Sequence, residues 1–188
     1  EKLARIASNT WPLRYLFKSR MSFGTNPKAE EMKKKYGEIT MLDFPQFTKN
    51  TFPGVTRMDL FSGLFGEVAD DSMYVEVPLM VGAATRTTRE FDPSSTAGKR
   101  WLSKLANQMA STGTACQHIS NNAPRDICEP DAEKRKMGVE VAKKWLDGAR
   151  ILGAKSMRVN SGGPRIAPWP VVTSDYPKND ELAKYLAP

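Results

Sequence analysis

The chain has 188 residues and a mass of 20.9 kDa, the size of one ordinary domain. Hydrophobic residues make up 40% of it, which excludes a disordered protein, and 13 glycines with 13 prolines exclude collagen-like and low-complexity chains. The net charge of +7 permits an anionic partner, but the basic residues are dispersed and do not favour nucleic acid. We interpret the lysine triplet Lys33–Lys35 as a solvated helical face. No segment approaches the roughly 20 apolar residues that span a bilayer, so no membrane partner is expected.

The first half of the chain predicts two strands and two helices. The apolar run Leu3–Asn9 predicts a buried strand that ends before Trp11, and Val55–Phe61 predicts a second strand. Between them, Pro27–Tyr36 predicts an exposed, charged helix, and Leu42–Phe52 predicts a helix or helical turn closed by proline and glycine. The stretch near residues 20–40 is therefore interpreted as an exposed insertion.

A second insertion is predicted near residues 66–95, which contain mostly irregular sequence and one strand-like piece, Met73–Met80. Regular elements then resume. We predict helices at Gly98–Ser111 and Pro130–Leu152, strands at Thr114–Ile119 and Lys155–Asn160, and the start of a further helix at Asn179–Leu186. The helix at 130–152 has a predicted buried stripe of Met137, Val141, Trp145, Ala149 and Leu152.

Strands that alternate with helices predict an α/β fold with parallel strands joined by right-handed crossovers. Polar residues fall at the carboxyl ends of these strands, the edge at which α/β proteins place their chemistry: Asn9, Asp59, His118, Arg158 and Asn160.

The two cysteines, Cys116 and Cys128, give two possibilities, a disulfide or a reduced pair. The apolar surroundings of Cys116 favour a buried thiol in a strand. The chain begins at Glu1 without an initiator methionine, so we leave open a cytoplasmic location and export followed by removal of a leader.

The segments Cys116–Ile119, Asp131–Gly153 and Ala154–Gly163 together resemble the xylose isomerase-like TIM barrel family, the sugar isomerases and epimerases related to AP endonucleases. The shared feature is a helix ending in Ala-x-x-Leu-Gly-Ala and a following strand that delivers an Arg or His and a small polar residue. The strand end Asp59-Leu60-Phe61 is similar to the family's acidic-plus-apolar strand end. The likeness covers the whole chain in element order and residues 114 to 163 in motif.

The resemblance implies that residues 1–188 form the N-terminal half of a TIM barrel, because about four of the eight β/α units are present. It also implies a divalent metal, Mn²⁺ or Mg²⁺, whose ligands lie outside this segment. The other half of the barrel would come from further chain or from another subunit.

The resemblance makes His118 and Asp59 candidate catalytic residues, and Arg158, Asn160, Trp11 and Asn9 candidate substrate-binding residues. Each also has a structural interpretation. His118 is either a substrate-facing imidazole or a half-buried one bonded to the backbone, and Arg158 either binds substrate or pairs with Asp59. Asn160 either binds hydroxyls or closes a turn, and Trp11 either stacks on a sugar or covers the core. Gly162-Gly163 is a weak candidate for an anion-binding turn, and Asp70 and Asp71 are interpreted as solvated loop charges.

Three functions follow as expectations. The first is isomerisation or epimerisation of a carbohydrate by metal-assisted proton abstraction next to a carbonyl. The second is a non-catalytic half-barrel subunit that binds a sugar or a partner. The third is an AP-endonuclease-like DNA enzyme.

Overall fold

A four-stranded sheet with helices packed on it organises the chain. The computed structural model describes residues 2–21, 27–81, 84–124, 127 and 131–160. The strands are β1 (Ala7–Asn9), β2 (Arg57–Phe61), β3 (Tyr74–Val81), β4 (Ala84–Phe91), β5 (Ala115–Ser120) and β6 (Ser156–Met157). The helices are α1 (Pro27–Tyr36), α2 (Phe44–Thr51), α3 (Thr96–Thr112) and α4 (Ala132–Leu152).

The main sheet has the order β1-β2-β5-β6, and every pair in it is parallel. The predicted α/β class with parallel strands is confirmed. The order follows the chain without reversal, so each crossover advances the sheet in one direction. Right-handed crossovers of this kind place successive helices on the same side of a sheet.

One face of the sheet forms the core. Met58, Leu60, Cys116 and Ile119 are almost completely buried on that face. They pack against apolar residues of α2, α3 and α4, and aromatic rings of Phe65, Phe91, Trp101 and Trp145 extend this core beyond the strand ends. Most of the hydrophobic stabilisation therefore lies between this face and the helices.

The helix ends follow local sequence signals. Ser95 caps α3, because its Oγ accepts a hydrogen bond from Gly98 N at 2.9 Å, and Asp131 caps α4 by accepting from Glu133 N and Lys134 N. Both helices end at a glycine with positive φ, Gly113 and Gly153, a conformation that residues with a Cβ rarely adopt.

Several predicted elements need correction. Leu3–Arg5 is a 3₁₀ helix with Leu3 exposed, so the first strand is only Ala7–Asn9, and the last described strand is only Ser156–Met157. The 66–95 stretch is an antiparallel hairpin of β3 and β4, not mostly irregular. Met137 is 60% exposed because it precedes the part of α4 that contacts the core.

Other predicted features fall outside the described residues or agree with the structure. Cys128, Pro130, Gly162-Gly163 and Asn179–Leu186 lie outside the described residues. Cys116 is a free, buried cysteine, as predicted. In α1, Lys34 and Lys35 are exposed and Lys33 pairs with Glu38 at 2.8 Å, which fits a largely solvated face.

Candidate functional site

A row of polar residues crosses the sheet on the face opposite the core. The strand register aligns Asn9 with Asp59, Asp59 with His118, and His118 with Ser156. Neighbouring strands lie about 4.8 Å apart, so the row is about 14 Å long. Asn9, Asp59, His118 and Ser156, called the polar row below, thus form a surface long enough for a small polar molecule.

A bulge in β5 is what places His118 in this row. Cys116 pairs with Met58 and His118 with Asp59, so Gln117 is an extra residue between two aligned pairs. Strict alternation would put His118 on the same face as Cys116, in the core. The bulge turns His118 to the polar face and leaves Cys116 and Ile119 buried.

The carboxylate of Asp59 is held by two neutral donors. Asn9 Nδ2 donates to its Oδ2 at 2.9 Å, and Ser120 Oγ donates to its Oδ1 at 2.8 Å. The Asn9 amide is itself oriented by Trp11 N, which donates to Asn9 Oδ1 at 2.7 Å. An ionised carboxylate accepts about four hydrogen bonds, so Asp59 is fixed in orientation and keeps capacity for a ligand hydroxyl.

The hydrogen bonds of His118 define its tautomer. Its Nδ1 lies 2.9 Å from Ser156 Oγ, and Ser156 Oγ donates to the Gln117 carbonyl at 3.2 Å. The serine hydroxyl has one proton, and the Gln117 carbonyl can only accept it, so the two contacts together favour the tautomer in which His118 Nδ1–H donates to Ser156 Oγ. The neutral imidazole therefore carries its lone pair on Nε2, which has no hydrogen-bond partner among the described residues.

Trp11 lies beside the Asn9–Asp59 end of the row. Its side chain is 45% exposed, and its ring meets Phe61 edge-to-face at 4.8 Å between centroids. The guanidinium of Arg14 lies over the indole, 4.5 Å from its centroid. Trp11 thus adds a flat apolar surface next to polar side chains.

Arg158 and Asn160 brace the segment that follows β5. Arg158 Nε and Asn160 Nδ2 both donate to the Asn121 carbonyl, at 2.8 and 3.2 Å, and an Arg158 terminal nitrogen donates to Asn122 Oδ1 at 3.0 Å. Arg158 does not pair with Asp59. Both residues follow β6, two strands away from the Asp59 carboxylate on β2.

The thiol of Cys116 lies under the polar row, on the buried face of the sheet, and is unreactive. Burial is the main cause that raises its pKa to about 12, and the negative charge of Asp59 adds to the effect. A thiol with this pKa is protonated near neutral pH, so Cys116 is not a nucleophile.

A pocket of about 390 Å³ lies beyond the carboxyl ends of β2 and β5, with the β3–β4 hairpin as its outer wall. Arg20, Tyr74, Arg89 and Asn122 are among its lining residues. Sequence reasoning missed them because they come from four separate segments of the chain that only the fold brings together. One strand signal, the threonine-rich run Thr85–Thr88 after Ala84, is present in the sequence.

Asp71 holds one side of this pocket together. It forms ion pairs with Arg20 and with Arg89, the second at 2.8 Å, and these hydrogen bonds hold the pKa of its carboxyl below the usual range. The guanidinium of Arg20 also lies 4.2 Å from the centroid of the Tyr74 ring. The side chain of Asp71 is 66% exposed, which agrees with the predicted solvated charge, but it also forms these two ion pairs. Asp70 accepts a hydrogen bond from Ser72 N at the start of a 3₁₀ turn.

The described residues do not supply a complete metal site. In residues 2–21, 27–81, 84–124, 127 and 131–160, no group of three or more His, Cys, Asp and Glu side chains is arranged to hold a metal ion. Asp59 and His118 alone fall short of the usual ligand count. The implied Mn²⁺ or Mg²⁺ therefore does not fit the described residues by themselves.

No protein-family model matches the sequence, and no curated protein is significantly similar to it. Within the part of the chain that the structure describes, no helix is both long enough and apolar enough to cross a membrane.

Proposed function

We propose that the polar row binds a carbohydrate or a similar polyhydroxylated carbonyl compound and moves a proton next to its carbonyl group, as a sugar isomerase or epimerase does. One observation carries this proposal. A fixed carboxylate and an imidazole whose Nε2 has no hydrogen-bond partner among the described residues lie side by side on parallel strands, two residues before the ends of β2 and β5. Alternating hydroxyl and carbonyl groups match such a row of acceptors and donors.

In this proposal each residue has a distinct role. His118 Nε2 removes the proton from the carbon next to the carbonyl and returns it to the neighbouring carbon or the opposite face, so the reaction consumes no other reactant. Asp59 and Asn9 hold hydroxyl groups, and Trp11 covers one apolar face of the sugar ring. Arg158 and Asn160 bind at the edge of the row while they brace residues 121 and 122.

The same proposal makes the four strands part of a TIM barrel. The parallel order without reversal supports it, and so does a polar face opposite the helix-covered face. In a barrel that polar face becomes the interior. The remaining strands and the ligands of an Mn²⁺ or Mg²⁺ ion would come from further chain or another subunit, and the ion would polarise the carbonyl when bound.

The test is exchange of carbon-bound hydrogen with solvent. Aldoses and ketoses of four to six carbons are incubated in D₂O with the protein and Mg²⁺ or Mn²⁺, and deuterium next to the carbonyl is measured by NMR. We expect exchange in one sugar class. The exchange rate should fall by at least about 10²-fold in His118→Asn and in Asp59→Asn. Asp147→Asn, an exposed control on α4, should exchange at the full rate.

The non-catalytic half-barrel is the second candidate, because the described residues contain no group of three or more His, Cys, Asp and Glu side chains arranged to hold a metal ion. It predicts sugar binding without deuterium incorporation in any of these samples. If no sugar binds and none exchanges, the proposed function is wrong. A steep loss of binding to DNA with rising salt would instead favour the AP-endonuclease-like alternative.

A further inference from the structure

The pocket of about 390 Å³ beyond the ends of β2 and β5 is a built cavity that lies apart from the polar row. None of the four polar-row residues lines it. Its inner wall belongs to the core, because six of its lining residues are at most 7% exposed: Ser62, Phe65, Phe91, Asn121, Ala123 and Trp145. Small-molecule sites in proteins have volumes of about 300 to 1,000 Å³, so this pocket has room for a ligand of its own.

Aromatic rings cover much of that wall. The ring centroids of Phe65 and Phe91 are 5.7 Å apart, and these rings lie 6.0 and 6.1 Å from the ring of Trp145. Tyr74 adds a fourth ring, 6.3 Å from Phe91, and its hydroxyl donates to the Phe65 carbonyl at 3.1 Å. Burial raises the pKa of Tyr74 to about 12, so this ring stays uncharged. The rings favour a flat, apolar partner that packs against their faces and edges.

Two hydrogen-bond donors in the lining lack acceptors. Ser62 Oγ accepts from Asn122 N at 3.2 Å, and the proton of this buried hydroxyl has no acceptor among the described residues. Asn122 Oδ1 accepts from Arg158 at 3.0 Å, which fixes the orientation of the side-chain amide. The NH₂ group of Asn122 is then a second donor without an acceptor in the part of the chain that the structure describes. Neighbouring donors of this kind favour a ligand that carries a carbonyl oxygen.

The edge of β4 supplies backbone groups to the same pocket. Four consecutive residues, 88–91, line it, and since successive side chains point to opposite faces of a strand, the pocket lies along the strand's edge. Asp92 N donates to Met73 O at 2.8 Å, one position beyond the Tyr74–Phe91 pair. Hydrogen-bonded and non-hydrogen-bonded pairs alternate along antiparallel strands, so the N–H and C=O of Arg89 point away from β3. The Arg89 carbonyl is therefore an acceptor at this edge for a ligand N–H group.

The charged side chains around the pocket balance one another. Arg20 pairs with Asp71, and Arg89 pairs with Asp71 at 2.8 Å and with Glu76 at 3.4 Å. Glu90 also lines the pocket, so two guanidinium groups lie near three carboxylates. A carboxylate or phosphate ligand would meet no excess of positive charge, and an ammonium ligand would meet the arginines and the two unsatisfied donors. The charges therefore favour an uncharged ligand.

We infer that this pocket is a separate ligand site, which binds an uncharged aromatic carboxamide. The ring packs against the aromatic wall. The carbonyl oxygen accepts from Ser62 Oγ and Asn122 Nδ2, and the amide N–H donates to the Arg89 carbonyl. A carboxamide fits because it is a small neutral group with both an acceptor and donors. The inference is independent of the function proposed for the polar row, since the two sites share no residue.

The experiment compares four probes of similar size: benzamide, benzoate, benzylammonium and cyclohexanecarboxamide. Binding to the full chain is measured by titration of ¹H–¹⁵N NMR spectra. We expect benzamide to bind with a dissociation constant of about 10 mM or below, a magnitude typical of so small a ligand. It should bind about tenfold or more tightly than the two charged probes, and about threefold or more tightly than cyclohexanecarboxamide, which has no π face. Shifts should appear at the backbone amides of Gly63 and Thr88, which line the pocket, and not at His118.

Ser62→Ala tests the hydroxyl donor. It should weaken the binding of benzamide about three- to tenfold, the usual effect of losing one hydrogen bond. Ser8→Ala is the matched control, because Ser8 is similarly buried, its Oγ lies 2.9 Å from Thr48 Oγ1, and it does not line the pocket. The control variant should bind benzamide as the unaltered protein does.

Any other result overturns the inference and leaves the proposed function standing. Benzoate or benzylammonium that binds as tightly as benzamide would refute the uncharged ligand, and cyclohexanecarboxamide that does so would refute the aromatic one. Shifts at His118 without shifts at Gly63 and Thr88 would refute the location, and no binding of any probe would refute the site. An unchanged affinity in Ser62→Ala would refute the role of the hydroxyl. The comparison of probes in the unaltered protein decides the other cases even if Ser62→Ala does not fold.

Discussion

Removing the Ser156 hydroxyl should change the protonation site of His118. In the structure this hydroxyl lies 2.9 Å from Nδ1 and donates to the Gln117 carbonyl at 3.2 Å. Ser156→Ala removes the acceptor that favours a proton on Nδ1. A hydrogen bond of this kind contributes about 0.5 to 1.5 kcal/mol, and Ser156 is exposed, so we use about 0.5 to 1 kcal/mol. That free energy corresponds to a change of about two- to fivefold in the ratio of the tautomers.

The assay is a long-range ¹H–¹⁵N NMR spectrum of uniformly ¹⁵N-labelled protein at a pH where imidazole is neutral. A single histidine gives one pair of ring nitrogens, so the assignment is unambiguous. We expect the unaltered protein to show a protonated Nδ1 and a lone pair on Nε2, and Ser156→Ala to shift the population toward protonated Nε2. Ser156→Thr keeps the hydroxyl and should resemble the unaltered protein.

Ser103→Ala is the matched control, because Ser103 is also exposed and donates to a carbonyl, Lys99 O at 3.0 Å, far from any histidine. The reasoning about His118 is refuted if the unaltered protein carries its proton on Nε2. It is also refuted if Ser156→Ala leaves the tautomer ratio unchanged.

Three further predictions concern stability and reactivity. Gly98→Ala should lower the free energy of unfolding by about 2 to 4 kcal/mol, because the added Cβ would overlap the Asp92 carbonyl oxygen at the start of α3. Urea denaturation measures this, and an unchanged midpoint of the unfolding curve would contradict it. In a Cys128→Ser background, Cys116 should resist alkylation at pH 8 until the protein unfolds, because burial raises the pKa of its thiol to about 12; rapid labelling of folded protein would be the opposite result. Hydrogen bonds from Arg20 and Arg89 hold the pKa of Asp71 below its usual value. The carboxylate therefore stabilises the fold fully at pH values above the ordinary aspartate pKa, about 4, and this contribution is lost as the pH falls through the lowered pKa. The difference in unfolding free energy between the unaltered protein and Asp71→Asn should therefore shrink as the pH falls below about 4, and a difference that stays constant with pH would argue against the ion pairs.

The sequence predicts the sheet and the long helices because each has a local signal. Alternation at Met58 and Leu60 shows a strand with one buried face, and the cap at Asp131 with the glycine at 153 delimits α4. The first strand was predicted too long because the apolar residues Leu3 and Ile6 are exposed, and apolar composition alone does not show which side chains are covered.

The candidate site is less accessible to sequence reasoning because it depends on register. Asp59 and His118 were predicted from their places at strand ends, but their alignment requires the extra residue Gln117, and no local signal marks that bulge. Ser120 and Ser156 were missed as partners of Asp59 and His118, since hydrogen bonds between side chains from different strands follow from the strand pairing.

The long sequence separations across the polar row also bear on how the protein folds. Asn9 and Asp59 are 50 residues apart, Asp59 and Ser120 are 61 apart, and His118 and Ser156 are 38 apart. The helices and the β3–β4 hairpin depend on contacts between residues close in sequence, which form in microseconds. Pairing of the parallel strands must first close the much longer loops that separate these polar residues, and this slows it. We expect the row to assemble in the last, slowest phase of folding, so the native resonances of His118 should appear later than the helical circular dichroism signal and report the completed sheet.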